Sequence, residues 1–368
     1  MFSTRLTLLC ALASPPTAAT RPAPAITEQS VRRVATLHTA RAVHTATPLL
    51  SGDILIVGGM TEGGGAAASA ELVDPRDNST RDVGSLVTAR HGHSATLLPD
   101  GRVLVAGGYN GDYLASLEMY DPSSKRFRPA GSLAEPRSGH TATMLPDGRI
   151  LFTGGVGTGW TFLRSAELYD PATARSESVG SMTVPRESHV AALLEDGRVL
   201  IVGGHAGRRE NMVVYSSAEI FSPTTRRFTP AASMRTPRHK HDAVKLHDGR
   251  ILVLGGADRT DRTYFATTEI YNPRTDRFDT GPTMANERYK IAGTTVVLPD
   301  GGVLVTSGAR TAELFDATAQ RVREVTGGLS AAFRFAAAAP LHDGDVLITG
   351  GYDDRSRITN GVWRFEHR

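Results

Sequence analysis

Short apolar runs alternate with turn signals from about residue 31 to the end of the chain. The run His93-Ser-Ala-Thr-Leu-Leu is closed by Pro99-Asp100-Gly101, and Arg102-Val-Leu-Val-Ala follows without a polar break. Asp-Gly between two apolar runs predicts a tight hairpin, because glycine takes positive φ there without steric cost. The unbroken apolar run predicts a strand buried on both faces. Gly107-Gly108 then lets the backbone bend or approach a neighbour closely. After a variable loop, Leu117-Glu-Met-Tyr120 predicts a third strand ended by Asp121-Pro122, and Arg126 to Leu133 a fourth. The predicted unit is a four-stranded antiparallel meander.

The stretch from Arg90 to Gly108 recurs along the chain. Arg137 to Gly155 and Arg186 to Gly204 keep its spacing, and Arg41 to Gly59 and Arg238 to Gly256 keep it with more substitutions. Self-similarity at a period of roughly 50 residues means stacked supersecondary units, each needing neighbours to bury its faces. Glycine pairs stand at Gly58-Gly59, Gly107-Gly108, Gly154-Gly155, Gly203-Gly204, Gly255-Gly256 and Gly350-Gly351, with Ser307-Gly308 a degenerate seventh. Meanders with open faces and edges are best satisfied by a ring. The last unit supplies three strands, ending in Val362-Trp-Arg-Phe365, while Val31 to Leu37 aligns with Phe127 to Leu133. The expected fold is therefore all-β: a seven-bladed propeller of four-stranded antiparallel blades over residues 28–368. An N-terminal strand is expected to close the last blade.

The glycine pairs, the Glu-x-Tyr-Asp-Pro runs (Glu118 to Pro122, Glu167 to Pro171) and the period resemble kelch repeats. The resemblance covers the chain from about Val31 onward. One departure is that the fourth-strand tryptophan is Phe127, Phe228 and Phe278 here and is lost at Thr80, Ser176 and Val322. The Pro-Asp-Gly turns and His-x-Ala-Thr strands resemble bacterial kelch proteins and the propeller of galactose-oxidase-like proteins.

Composition narrows the classes. Lys+Arg 41 against Asp+Glu 38 gives a formal charge of +3 without any cationic run, so no nucleic-acid partner is expected. Hydrophobic content of 40% is that of a globular chain, and no later apolar run is long enough to span a bilayer. The single cysteine, Cys10, excludes a disulfide framework or thiolate metal site in the body. Arg5 to Ala13 reads as a basic-then-apolar leader, followed by a Pro/Ala/Thr-rich spacer, so residues 1–27 are expected to be a signal peptide and disordered spacer. The expectation is an exported protein, periplasmic or extracellular, and a cytoplasmic one if the leader is not a signal.

Residues that recur from blade to blade answer to the scaffold. His44, His93, His140, His189 and His241 share one repeat position in different blades, too far apart to hold one ion, and are expected to bond to backbone. Arg41, Arg90, Arg137, Arg186, Arg238 and Arg288 accompany Glu71, Glu118, Glu167, Glu219, Glu269 and Glu313. Both types vanish together in the seventh unit, near Phe333 and at Trp363. An inter-strand ion pair is expected, with a few arginines half-exposed at the channel mouth. What varies between repeats points to function: the residues after each arginine and the loop after each glycine pair, which open on one face of the ring. Tyr109, Tyr113, Trp160, Arg208, Arg209, His239, Lys240, Tyr264, Tyr289 and Tyr352 are the candidate ligand-binding residues there.

These readings imply a non-catalytic, monomeric module that binds a protein or carbohydrate partner on the long-loop face. No catalytic residue, metal or cofactor is expected. Copper chemistry of the galactose-oxidase type would need a tyrosine cross-linked to cysteine, which Cys10 cannot supply, and Ser-x-Asp-x-Gly-x-x-Trp sialidase boxes are absent. The alternative is a sugar-modifying enzyme like the kelch epimerases, using an Arg cluster with Glu187, Glu210 or His239. If the leader is cleaved, intact-mass measurement on protein from its native host will find a chain beginning at Ser14 or Thr20; an uncut chain starting at Met1 would remove the expectation of export.

Overall fold

The computed structural model describes residues 29–316 and 321–367, so the leader and spacer read at residues 1–27 lie outside the described residues. Seven antiparallel sheets follow one another around a central channel. Their inner strands are Thr45–Pro48, Ser94–Leu97, Thr141–Met144, Val190–Leu193, Asp242–Lys245, Thr295–Val297 and Ala337–Pro340, in blades one to seven. The second strands, such as Ile54–Val57, Val103–Ala106 and Val199–Val202, are buried throughout. They lie sandwiched between sheets, which is why their sequence runs apolar without alternation. Leu55, Val57 and Leu72 of blade one pack on Val103, Val105 and Tyr120 of blade two, and each neighbouring pair repeats the arrangement. A fully buried side chain of this size contributes about 1.5–3 kcal/mol.

The ring closes as the alignment of its ends predicts. Ser30–Thr36 pairs antiparallel with Gly361–Glu366, Val31 opposite Phe365 and Thr36 opposite Gly361, completing the seventh blade. A short strand, Thr326–Gly327, adds in parallel to Ser30 and Val31 and further ties down this terminus.

The glycine pair is a steric requirement of the blade-to-blade contact. A Cβ on Gly58 would stand 2.6 Å from the Arg90 carbonyl and 2.8 Å from the His93 ring of the next blade. One on Gly59 would stand 2.7 Å from His44 Cβ of its own blade. Both glycines also adopt positive φ, 59° and 107°.

The expected ion pairs form in six blades, and they do more than join two strands. In blade two, Arg90 donates to Glu118 Oε1 at 2.6 Å, to the Gly107 carbonyl at 2.7 Å and to the Ser116 carbonyl at 2.9 Å. Glu118 in turn accepts the amides of Val87 and Thr88, in the segment entering the blade. Arg41–Glu71, Arg137–Glu167, Arg186–Glu219, Arg238–Glu269 and Arg288–Glu313 follow at 2.6 to 3.2 Å. All six guanidinium side chains are 0% exposed, which corrects the expectation that some reach the channel mouth. Each spends its Nη donors on its glutamate and on carbonyls where strands two and three diverge. In blade seven, Phe333 and Trp363 occupy the two positions with ring centroids 5.1 Å apart, so an aromatic pair replaces the charges.

The repeat histidines also differ from expectation: they bond to a hydroxyl of the preceding blade rather than to backbone. His44 Nε2 meets Thr349, His93 meets Thr45, His140 meets Ser94, and His189 meets Thr141 and Thr153, at 2.8 to 3.2 Å. Side-chain hydroxyls lie opposite the ring, whereas nearby carbonyls are already taken by the sheet. His241 has no such partner because Val190 and Val202 stand where the hydroxyls would be. Blade six carries Ile291 in place of histidine, and there Asp242 of blade five accepts the Thr294 and Thr295 amides instead.

Three outcomes follow from this packing. Arg90→Met leaves the Glu118 carboxylate buried and unpaired and will cost about 3–5 kcal/mol, read by urea denaturation. Replacing Arg238 and Glu269 together by Phe and Trp, as blade seven does, will cost less than either single change. Burial holds His93 and His189 down to about 3. The unfolded chain therefore takes up protons first as pH falls below about 6.5. Stability is full above that value and drops by about 1.4 kcal/mol per pH unit per imidazole on the way down to the folded value. His93→Gln will flatten this slope, and an unchanged slope would show that the ring histidines do not control acid unfolding.

Candidate functional site at the long-loop mouth

The site begins with a circle of backbone hydrogen bonds around the channel. The residue two positions after each repeat arginine donates its amide to the carbonyl of its counterpart in the preceding blade. Gly92 donates to Val43, Gly139 to Gly92, Ser188 to Gly139, Lys240 to Ser188, Lys290 to Lys240 and Phe335 to Lys290; Val43 donates to Phe335 at 3.0 Å and closes the circle. Holding this geometry requires positive φ at every member, 50° to 64°. Glycine is used at Gly92 and Gly139, where Ser138 and Glu187 of the next blade lean in. Val43, Ser188, Lys240, Lys290 and Phe335 carry side chains in the same conformation, each at a cost of about 1–2 kcal/mol. Three of these, Lys240, Lys290 and Phe335, are consecutive and project from blades five to seven.

Outside the circle, isolated bridges in every blade but the sixth join the residue after the repeat arginine, or after Phe333 in blade seven, to the residue after the glycine pair, as in His91 with Tyr109, Glu187 with His205 and Arg334 with Tyr352. They bring both variable loop sets to one mouth. Tyr264 and Tyr289 stack with ring centroids 4.6 Å apart and planes 8° from parallel. Lys240 Nζ donates to Asp261 Oδ2 at 2.8 Å and to the Tyr289 hydroxyl at 3.1 Å. Lys290 Nζ donates to the Tyr352 hydroxyl at 2.7 Å and lies 4.9 to 5.5 Å from the Tyr289, Tyr352 and Phe335 ring centres. It forms no ion pair among the described residues, and burial lowers its pKa. Burial also raises the Tyr289 and Tyr352 phenols. Arg334 faces Tyr264 and Tyr289 and pairs with Asp354 at 2.7 Å.

A second group forms across blades two to four. Tyr113 packs edge-on to Tyr109 at 5.0 Å and to Trp160 at 5.6 Å, and the Arg208 guanidinium lies over the Trp160 ring. Burial pushes the Tyr113 phenol up to about 12. Trp160 is 48% exposed, a large apolar surface left open at the rim. Arg209, next to Arg208 in the chain, is exposed.

The structure thus gathers Tyr109, Tyr113, Trp160 and Arg208 into one group and Lys240, Tyr264, Tyr289 and Tyr352 into another. His239 stands apart from both as a binding surface, because it is fully buried against His205 and Asp261. Lys290, Asp261, Arg334, Phe335 and His205 belong to the mouth but are missing from the sequence-derived set. Arg334 and Phe335 become legible once Phe333 is aligned with the repeat arginines.

Between the circle and the histidines lies a channel cavity of about 290 Å³, walled by Val43, Ala46, Ala95, Phe335 and Ala338 among others. A larger hollow, about 540 Å³, lies among the turns of the opposite face near Arg76 and Arg364. Both arginines are occupied there by aspartates, Arg76 by Asp74 and Arg364 by Asp345, and the hollow gathers no Phe, Tyr or Trp side chain. The mouth remains the better candidate. His38, Glu71 and Asp82 are the one set of three metal-type ligands grouped among the described residues. Glu71 is already bound by Arg41 and two backbone amides, so this set does not fit an ion.

Comparison with known proteins gives two family matches: the KLHDC2/KLHL20/DRC7 Kelch-repeats domain over residues 43–256 and the Kelch motif over residues 244–285. No curated protein sequence matches the chain. Among solved structures, a "Novel fungal alcohol oxidase with catalytic diversity among the AA5 family, in complex with copper" superposes with a TM-score of 0.72 at 17% identity. The match covers 91% of this chain and 75% of that one. At that identity the likeness establishes the fold alone.

Ser188→Gly will relieve the left-handed strain without removing a packed side chain, and is expected to stabilise by up to about 1 kcal/mol. A lowered melting temperature would show that the strain is not there.

Proposed function

The chain belongs to the family of KLHDC2/KLHL20/DRC7 Kelch-repeats domains, and from that premise we propose that it is a non-catalytic binding module whose mouth takes an acidic segment of a partner protein. Kelch domains generally bind proteins, which favours a polypeptide over a glycan. The observation that carries the reading is Lys290. Its ammonium sits at the centre of the mouth among three aromatic rings and pairs with no carboxylate among the described residues. A carboxylate from a partner would complete it. Charge-assisted bonds of that kind, in a site shielded by aromatic walls, are stronger than exposed pairs. Arg208 and Arg209 add positive charge at the rim, and Trp160 with the Tyr264–Tyr289 stack supplies rigid apolar contact.

The sugar-modifying alternative draws less support. Glu187 and His239 do come near each other, joined through His205, but the arginines outside the scaffold at the mouth, Arg208, Arg209 and Arg334, bond to neither among the described residues. The proposal further takes the protein to act as an exported monomer, the expectation raised by the leader.

A peptide array graded from basic to acidic, run beside an array of neutral and uronic-acid oligosaccharides, tests the reading. Acidic peptides are expected to bind, more weakly as salt is raised. Lys290→Ala and Trp160→Ala should each lower affinity at least about tenfold, the loss of one good contact, with melting temperature unchanged. Binding confined to the glycan array would move the assignment to carbohydrate, and binding unaffected by both variants would remove it from the mouth.

A further inference from the structure

Beyond partner binding, the mouth holds a pair of imidazoles that the fold does not require. His205 follows a glycine pair and His239 follows a repeat arginine, positions that hold Met60, Tyr109 or Val156 and Ala42, Ser138 or Tyr289 in other blades. Both rings are anchored on rigid backbone. His205 exchanges two hydrogen bonds with Glu187, and His239 is bridged to Ala257. His205 is 4% exposed and His239 is 0% exposed.

Their protonation follows from their neighbours. His239 Nε2 lies 3.1 Å from the Asp258 carbonyl, which only accepts, so this nitrogen carries the hydrogen. The Asp261 carboxylate lies beside it at 3.0 Å. His205 Nε2 faces Glu187 Oε2 at 3.2 Å, where a hydrogen on the ring nitrogen meets an acceptor oxygen. With Nε2 protonated on both rings, a neutral imidazole has its lone pair on Nδ1. The two Nδ1 atoms face each other at 3.1 Å. Two lone pairs at that separation repel unless a positive centre lies between or beside them, and burial lowers the pKa of His239 and so disfavours an imidazolium on that ring.

We propose that His205 and His239 bind one divalent transition-metal ion of imidazole-preferring type through their Nδ1 atoms. Two nitrogens held about 2.0–2.1 Å from one ion lie about 3.0–3.4 Å apart, the separation already present. Oxygen acceptors on both Nε2–H groups are the outer-shell arrangement that fixes metal-bound histidines. Glu187 and Asp261 also supply the negative charge that balances the cation, although Asp261 shares it with Lys240. The remaining coordination positions would be filled by water or by a donor atom of a bound partner. The ion lies outside the repeat histidine circle and needs no residue of the His38 set.

The test uses the full chain freed of metal by chelator and titrated with Zn²⁺ by calorimetry, with Co²⁺ visible absorption as the report on coordination. One saturable site per chain is expected, with a rise in melting temperature on adding Zn²⁺. His205→Ala and His239→Ala should each abolish the site and its Co²⁺ spectrum. Glu187→Gln, a positioning change, should weaken Zn²⁺ about 10–100-fold while keeping one-to-one stoichiometry. Melting curves of the metal-free variants establish that they are folded. Absence of a saturable site in the native sequence, or Zn²⁺ binding that survives the double His205→Ala, His239→Ala change, would overturn the proposal. Peptide binding through Lys290 is measured separately and stands or falls independently.

Discussion

The buried arginine–glutamate pair is the constraint on which the rest of the molecule rests. Each guanidinium fixes the carbonyls where strands two and three diverge, and each glutamate gathers the amides of the segment arriving from the previous blade. One interaction therefore sets the shape of a blade and its angle to its neighbour. Such pairs add little net stability, since desolvation offsets most of the attraction, but a broken one is costly. Blade seven shows that the geometry is what matters. Phe333 and Trp363 fill the same two positions without charge, in the blade that is also closed by the N-terminal strand.

With the entry segments fixed, the residues just past each arginine have little freedom. They turn through the left-handed region and link amide to carbonyl around the channel. Glycine would meet this demand at every blade, yet only Gly92 and Gly139 are glycine. Side chains persist at the other five members, and the two lysines and Phe335 among them form the centre of the mouth. Strain retained where a cheaper residue exists is a recognised mark of functional sites. The scaffold and the candidate site thus meet in the same residues: their backbone closes the ring while side chains of Lys240, Lys290 and Phe335 line the mouth.

The electrostatics of the mouth divide along the same line. Asp261 ties Lys240, and Asp354 ties Arg334, while Lys290 rests on aromatic faces and a phenol. Burial raises the Asp261 carboxyl, but hydrogen bonds from His239 and Lys240 outweigh it and hold the group well below the usual range. The charge left unanswered is positive and central, next to stacked rings. On the far side of Asp261 lies the imidazole pair, so the proposed ion and the proposed partner site share one wall.

The repeat itself carried the architecture. Its Asp-Gly turns, apolar second strands, glycine pairs and unequal ends predicted the blades, their number and the closing strand, because hydrogen-bond geometry and close approach leave few residue types able to serve at those positions. The joint loss of arginine and glutamate in the last unit likewise foretold that they pair. What the sequence could not show was depth and company. The arginines are wholly buried, the histidines seek hydroxyls of the preceding blade, and His239 turns inward to a partner 34 residues away. Lys290, Arg334 and Phe335 join Tyr264 and Tyr352 only because the ring sets distant loops side by side. Spacing along the chain reports what a strand or turn demands of its own residues; contacts between blades depend on the closure of the ring, and only the tertiary structure decided them.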